Sequence, residues 1–361
     1  MSKKHEFIQL LKGLDTNEYY AGPLYLFNDE TIYFSNREKR TFYEINQWSS
    51  EHPEYRELNL KNKNGSTLIY GYLWRYGNEL FVIDWENLYK YNVDGVLLRQ
   101  LHTQIKINSI RYITDIIAPS FKVVNHKESI IFPVAIRKKA YKRGMKKLFS
   151  TANIIVEMTN DGKVIKHFGC YNDKFRSKIF TSLEMNKFYV DSQFVYVLDP
   201  LSLVVSQYNL NNMSLINNFQ LNYKMKAPEG FAQLNYDFGN QEKIFKQKIE
   251  SSNSSDIFIW KKNFYLLYSE PIEDTCVVGE VLLRPKKGCY VASIKERNQW
   301  VLYYHKPVYL LKFDENGSFL SKQLIELYND CEVLKVKDNV AYIYSRDSER
   351  GGTRIVKVNL E

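Results

Sequence analysis

A single pattern recurs along this chain and limits its fold more than any other feature. A run of β-branched and aromatic residues is followed by a short polar break, then by a second such run that ends at a tight turn. The clearest copies are ELFVIDWENLYKYNVDGVLLRQL, from Glu79 to Leu101, and QFVYVLDPLSLVVSQYNLNNMSLINNF, from Gln193 to Phe219. A unit of about 45–50 residues built this way cannot bury both faces of its own sheet, so copies must pack on one another as the blades of a β-propeller do. The 28 Tyr and 21 Phe suit that arrangement, because such side chains favour strands and fill the wide spaces between packed sheets.

Six strands ending in a small or acidic residue before a polar break mark the blades. They are TIYFS to Ser35, LFVID to Asp84, SIIFP to Pro133, FVYVLD to Asp199, FYLLYS to Ser269 and VAYIYS to Ser345. Each is short, rich in Val, Ile, Tyr and Phe, and bounded by breakers. The pairs Asp94-Gly95, Asp161-Gly162, Asn211-Asn212 and Asn316-Gly317 tolerate positive φ and predict the outer hairpins. The expectation is an all-β chain, a β-propeller of six blades with four antiparallel strands each, forming one domain over residues 1–361.

Two insertions break the spacing, near 137–150 and near 270–298. The second carries the strand-like runs Cys289 to Ile294 and Trp300 to Tyr304. It either decorates blade five or supplies a seventh blade, and six is the preferred reading. The chain stops at RIVKVNLE, which reads as a third strand, so HEFIQLLKGL around Phe7 to Leu11 is expected to close the ring as its outer strand. Phe7, Leu10, Leu11 and Leu14 also fit a helical stripe. The polar stretch from Ala227 to Asp256, with its SSNSSD run, reads as a long connecting loop with one helical turn around Lys243 to Lys248.

Hydrophobic residues make up 44% and charged residues 25%, a folded composition rather than a disordered one. No apolar run reaches the ~18 residues of a membrane helix, and the first residues lack a signal-peptide pattern. The compartment is left open: cytoplasmic if the start is native, periplasmic or surface-anchored if a signal has been removed. A monomer is expected. Of Cys170, Cys276, Cys289 and Cys331, only Cys276 with Cys289 is a sequence-local candidate for a disulfide, and free buried thiols are the preferred state.

Seven of the +9 net charges lie in RKKAYKRGMKK, Arg137 to Lys147. Without that loop the chain stands at +2 (9 − 7), so no general basic field supports nucleic-acid binding. Arg137, Lys138, Lys142 and Arg143 are instead candidates for a secondary contact with an acidic partner or an anionic surface, set against a merely solvated face.

No phosphate-binding glycine loop, paired-histidine metal motif, nucleophile elbow or calcium loop occurs, so no cofactor is expected. The six histidines show no ligand spacing. Asp84 and Asp199 close equivalent strands and are candidate ligand-binding residues, able to converge on a cation or a sugar. The matching positions in other blades are Ser35, Pro133, Ser269 and Ser345, a poor oxygen cage, and turn capping is the competing reading for both aspartates.

In the aromatic-rich blades, in the hairpins LYKYNVDGVLLRQL and NIIVEMTNDGKVIKHFG, and in DIFIWKKNFYLLYSEP, the chain resembles the six-bladed TolB-like β-propeller proteins of Bacteroidetes. The resemblance covers nearly the whole chain and implies a fold and, at most, a binding or scaffold role. Two functions follow as expectations. The first is a non-catalytic propeller that recognises a peptide, glycan or protein partner on its loop-rich face. The alternative is a propeller hydrolase or lyase with an axial site, metal dependence being left open.

Overall fold

The computed structural model describes residues 6–9, 21–28, 30–36, 41–48, 50, 53–68, 71–84, 86–103, 105–107, 110–113, 123–136, 155–169, 187–226, 251–271, 277–278, 281–282, 290–296, 299–328, 331–347 and 352–360. Among these, six four-stranded antiparallel sheets form the blades of a six-bladed all-β propeller. Blade 1 comprises Ala21–Leu26, Thr31–Asn36, Thr41–Asn46 and Glu54–Leu58. Blade 2 comprises Tyr72–Tyr76, Glu79–Ile83, Asn87–Asn92 and Leu97–His102. Val124–His126, Ser129–Pro133, Ile155–Thr159 and Val164–Phe168 build blade 3. Lys187–Val190, Phe194–Asp199, Val204–Asn209 and Leu215–Gln220 build blade 4.

Blade 5 carries the decision between six and seven. Its first two strands are Asn253–Trp260 and Asn263–Ser269, and the second pairs directly with Pro307–Phe313, setting Ser269 opposite Val308. Phe319–Tyr328 is its fourth strand. The runs read as a rival blade form a separate two-stranded hairpin, Tyr290–Glu296 with Gln299–His305, outside the four-stranded sheet. Blade 6 takes Cys331–Lys337, Val340–Asp347 and Gly352–Asn359 from the end of the chain. Its fourth strand is Glu6–Gln9, antiparallel to Gly352–Asn359 with Phe7 opposite Val356. The neighbouring Leu10, Leu11 and Leu14 lie outside the described residues, as does the helical turn expected at 243–248.

The chain divides into two compact units. One, made of Glu6–Gly144, Thr151–Cys170 and Leu334–Glu361, holds blades 1 to 3 and most of blade 6. Its core includes Ile32, Phe34, Tyr43, Ile45 and Trp48 of blade 1 packed on Tyr344 and Ile355 of blade 6. The other, made of Met1–His5, Met145–Ser150 and Tyr171–Val333, holds blades 4 and 5. Here Leu198, Val205 and Leu221 pack on Ile257, Phe264, Leu266, Leu311 and Phe313. In both units the alternation of apolar residues places one face of each blade against its neighbour, which is how a sheet too small to stand alone is buried.

The turns between third and fourth strands do more than reverse the chain. Gly317 adopts φ +84°, and a Cβ there would lie 2.1 Å from the Gln220 carbonyl oxygen of blade 4. That turn also accepts the Asn222 N–H on the Gly317 carbonyl, at 2.8 Å. The hairpin tip of blade 5 is thus docked on the chain leaving blade 4. In the other unit Gly95 of blade 2 and Gly162 of blade 3 repeat the arrangement against Leu60 and Leu101 of the preceding blade.

Blade 3 is stitched across its width by one side chain from each strand. Glu157 Oε1 lies 2.7 Å from His126 Nδ1 and 2.5 Å from Ser129 Oγ, and Oε2 lies 3.2 Å from Lys166 Nζ. Burial pushes the Glu157 carboxyl up, but the bonds from Ser129, His126 and Lys166 outweigh it and hold it below the usual range.

Candidate functional site

Asp84 directly follows the second strand of blade 2 and Asp199 is the last residue of the second strand of blade 4, and both carboxylates are built into turns. Asp84 Oδ1 accepts the N–H groups of Glu86 and Asn87, at 2.8 and 2.6 Å, and Oδ2 accepts the Tyr89 hydroxyl at 2.9 Å. Asp199 Oδ1 accepts the Leu201 N–H at 2.9 Å and Oδ2 the Ser202 hydroxyl at 2.5 Å. These are Asx turns, in which a short carboxylate satisfies the backbone donors of a chain reversal. The two residues belong to different units. Arg137, Lys138, Lys142 and Arg143 lie outside the described residues, as do Cys170, Cys276 and Cys289; Cys331 is a buried thiol. Among the described residues no group of three His, Cys, Asp or Glu side chains is placed to hold a metal ion.

The His126, Ser129 and Glu157 trio has the composition of a hydrolytic site but not its wiring. A nucleophilic hydroxyl needs the imidazole between itself and the carboxylate. Here serine and histidine both meet the same carboxylate oxygen, so the trio serves blade 3 as a cross-strand tie.

The additions to the blade plan share one kind of connection. In blade 3 the chain leaves the second strand into Ala135–Ile136, which pairs with Ile110–Ile113 from the stretch joining blades 2 and 3. Ile110–Ile113 pairs in turn with Lys106–Ile107. Arg137, outside the described residues, follows Ile136 of this three-stranded sheet in sequence. In blade 5, residues 270–306 depart and return between paired second and third strands. Antiparallel strands put these second-to-third connections and the stretches between blades at one end of each blade.

At that end of blade 5 lies a buried polar cluster, and it corrects the reading of SSNSSD as loop. Residues 253–256 open the first strand, and Ser251, Ser252, Ser254, Ser255 and Asp256 are all buried. A β-bulge between Ser254 and Asp256 inserts Ser255 as an extra residue, a device that re-aims side chains at a strand end. Ser252 Oγ and Tyr268 Oη are 2.6 Å apart, and Asp256 Oδ2 accepts the Val333 N–H of blade 6 at 3.0 Å. Lys306, at the point where the insertion returns, is 2% exposed and donates to the Ser251 carbonyl at 2.6 Å. The Ser254 and Ser255 hydroxyls are buried without a hydrogen-bond partner among the described residues, a state that costs about 1–3 kcal/mol each. Composition hid this cluster, because serine runs read as loop. The one usable signal was the hairpin formed by Asp256–Trp260 and FYLLYS, whose strand pairing continues back through the serines.

With fold and site described, comparison with known proteins adds the following. No family model matches the chain, and no curated protein matches its sequence. Among solved structures, the chain is similar to a member of the DUF4221 family from Bacteroides vulgatus. The TM-score is 0.60 at 9% identity, over 99% of this chain and 96% of that one. It is also similar to a putative exported protein from Bacteroides fragilis, with a TM-score of 0.50 at 10% identity over 99% and 95%. At such identity the likeness shows the propeller fold alone.

Proposed function

We propose that this protein is a non-catalytic binding propeller whose recognition surface is built on the insertion of blade 5, and that its partner is a peptide, glycan or protein. The observation that carries this reading is the rooting of residues 270–306. The blade is complete without them, since Ser269 pairs directly with Val308, yet the excursion returns through buried Lys306, which bonds the Ser251 carbonyl, and departs from Ser269, which pairs with Asn253. Chain that adds nothing to the sheet but is firmly anchored at its base is the usual way a repeat fold carries recognition, because the blades themselves only hold one another in place.

The reading is tested by screening the full chain on immobilised glycan and peptide panels, then repeating any positive with a variant in which residues 274–298 are replaced by a short Gly-Ser linker. The variant should keep its circular dichroism and melting temperature and lose the interaction. Undiminished binding by the variant would make the insertion structural padding, and hydrolysis of a panel member would favour the enzymatic alternative.

A further inference from the structure

The opposite end of the first strands, at the turns joining first to second strands, carries a separate feature in the unit that holds blades 1 to 3. There Tyr25, Arg75 and Asn125, from the first strands of three successive blades, come together. Asn125 Nδ2 donates to Tyr25 Oη at 2.5 Å and to the Arg75 carbonyl at 3.3 Å. Tyr25 Oη donates to the same Arg75 carbonyl at 3.4 Å, so that backbone oxygen accepts from both neighbouring blades. The Arg75 side chain is held as well: the guanidinium lies 4.7 Å from the centroid of the Phe27 ring, Nε donates to the Gly77 carbonyl at 2.9 Å, and Nη1 reaches Tyr33 Oη at 3.4 Å.

What this partly exposed guanidinium lacks is a counter-charge. The carboxylates near it are committed elsewhere: Glu44 faces Arg56 at 3.7 Å and Glu79 faces Lys90 at 2.8 Å. No carboxylate among the described residues is within ion-pair reach of Arg75, and Nη2 makes no hydrogen bond to any of them. Tyr33 does not supply the charge either, because burial pushes its hydroxyl up and keeps it protonated. On the backbone side of Arg75, Asn125, which bonds its carbonyl, has a buried Oδ1 that accepts no hydrogen bond among the described residues.

We propose that Arg75 is the anion-binding element of a small-ligand site on the first strands of blades 1 to 3, and that the ligand group it takes is a carboxylate. A guanidinium stacked on an aromatic ring, with its orientation already set, loses little freedom on binding. Its planar fork matches the two oxygens of a carboxylate. One uncompensated positive charge suits a monoanion better than a phosphate dianion. The unsatisfied Asn125 oxygen adds an acceptor, so a ligand bearing an N–H or O–H donor close to its carboxylate fits best. The terminus of a peptide and a sugar acid share that chemistry.

Isothermal titration of the full chain with acetyl-diglycine, with its C-terminal amide, with glucuronate and with inorganic phosphate tests this site. Acetyl-diglycine or glucuronate, or both, should bind with a dissociation constant in the millimolar range or below, and the response of each identifies the source. The amide should bind at least tenfold more weakly than the acid. Arg75→Gln should lose binding at least tenfold, while Arg75→Lys, which keeps the charge and lacks the fork, should fall between. Melting temperatures of both variants report whether they fold. Equal binding of acid and amide, tighter binding of phosphate than of either carboxylate, binding undiminished in folded Arg75→Gln, or no binding of either carboxylate would overturn the proposal. Replacing residues 274–298 should leave carboxylate binding unchanged, which separates this site from the recognition surface on blade 5.

Discussion

Glycine at the hairpin tip between third and fourth strands answers two demands at once, and the weights differ by position. At Gly317 a side chain would need both a left-handed backbone and the space now held by the Gln220 carbonyl, which cannot rotate away. Gly317→Ala should therefore cost about 2–4 kcal/mol, the sum of the left-handed penalty and an overpacked contact. At Gly95 the nearest atom is the tip of Leu60, at 3.2 Å. Since that side chain can give, Gly95→Ala should cost about 1 kcal/mol. Urea denaturation of the two variants measures the difference, and equal losses would refute the docking argument. Glu157 sets a second expectation at this scale. Its carboxyl is held below the usual range in the folded protein, so its stabilising contribution is fully present above the unfolded value, about 4.5, and is lost as pH falls through the folded value. The melting-temperature gap between wild type and Glu157→Gln should be largest near neutral pH and close progressively below pH 4.5. A gap independent of pH would show that the ionised carboxylate is not what ties blade 3 together.

Strands and turns were the most legible elements, and the reason is physical. All six anchor strands fall on second strands of the blades, the positions flanked by sheet on both sides and hence the most uniformly apolar. The Asp-Gly and Asn-Gly pairs fall on hairpin tips because φ near +80° is cheap only for glycine. First strands were harder to see. Three-residue Val124–His126 and the serine-led Asn253–Trp260 lack the composition of a strand and are strands because a neighbouring strand pairs with them. At the chain start, Glu6–Gln9 covers the edge of Gly352–Asn359. Deleting residues 1–10 should bare that edge, lower the melting temperature by several degrees and produce concentration-dependent association in light scattering, since an open edge recruits other strands. An unchanged melting temperature and mass would mean that blade 6 stands without its fourth strand.

For the molecule as a whole, charge and fold are largely separate matters. Seven of the +9 net charges sit in residues 137–147, and like charges this dense gain nothing from folding. Reversing Lys138, Lys139, Lys142 and Arg143 to glutamate should leave thermal stability nearly unchanged and weaken only low-salt association with anionic surfaces. Tight, sequence-selective nucleic-acid binding at physiological salt, abolished by the reversal, would contradict that expectation. The strand class of each repeat and the hairpin tips were determined by the sequence alone, because they rest on local alternation and on φ preferences that need no partner, whereas six blades rather than seven was decided by the pairing of Asn263–Ser269 with Pro307–Phe313. How the polar residues are paired was decided by tertiary structure. Asp84 and Asp199 could be read from sequence as turn caps or as ligands, and the folded chain shows their carboxylates bonded to their own turns. Arg75 and Asn125 carry no motif that singles them out, and only the packing of blades 1 to 3 brings them together. Hydrogen-bond supply and counter-charge are properties of a neighbourhood, and a neighbourhood exists only after the blades have packed.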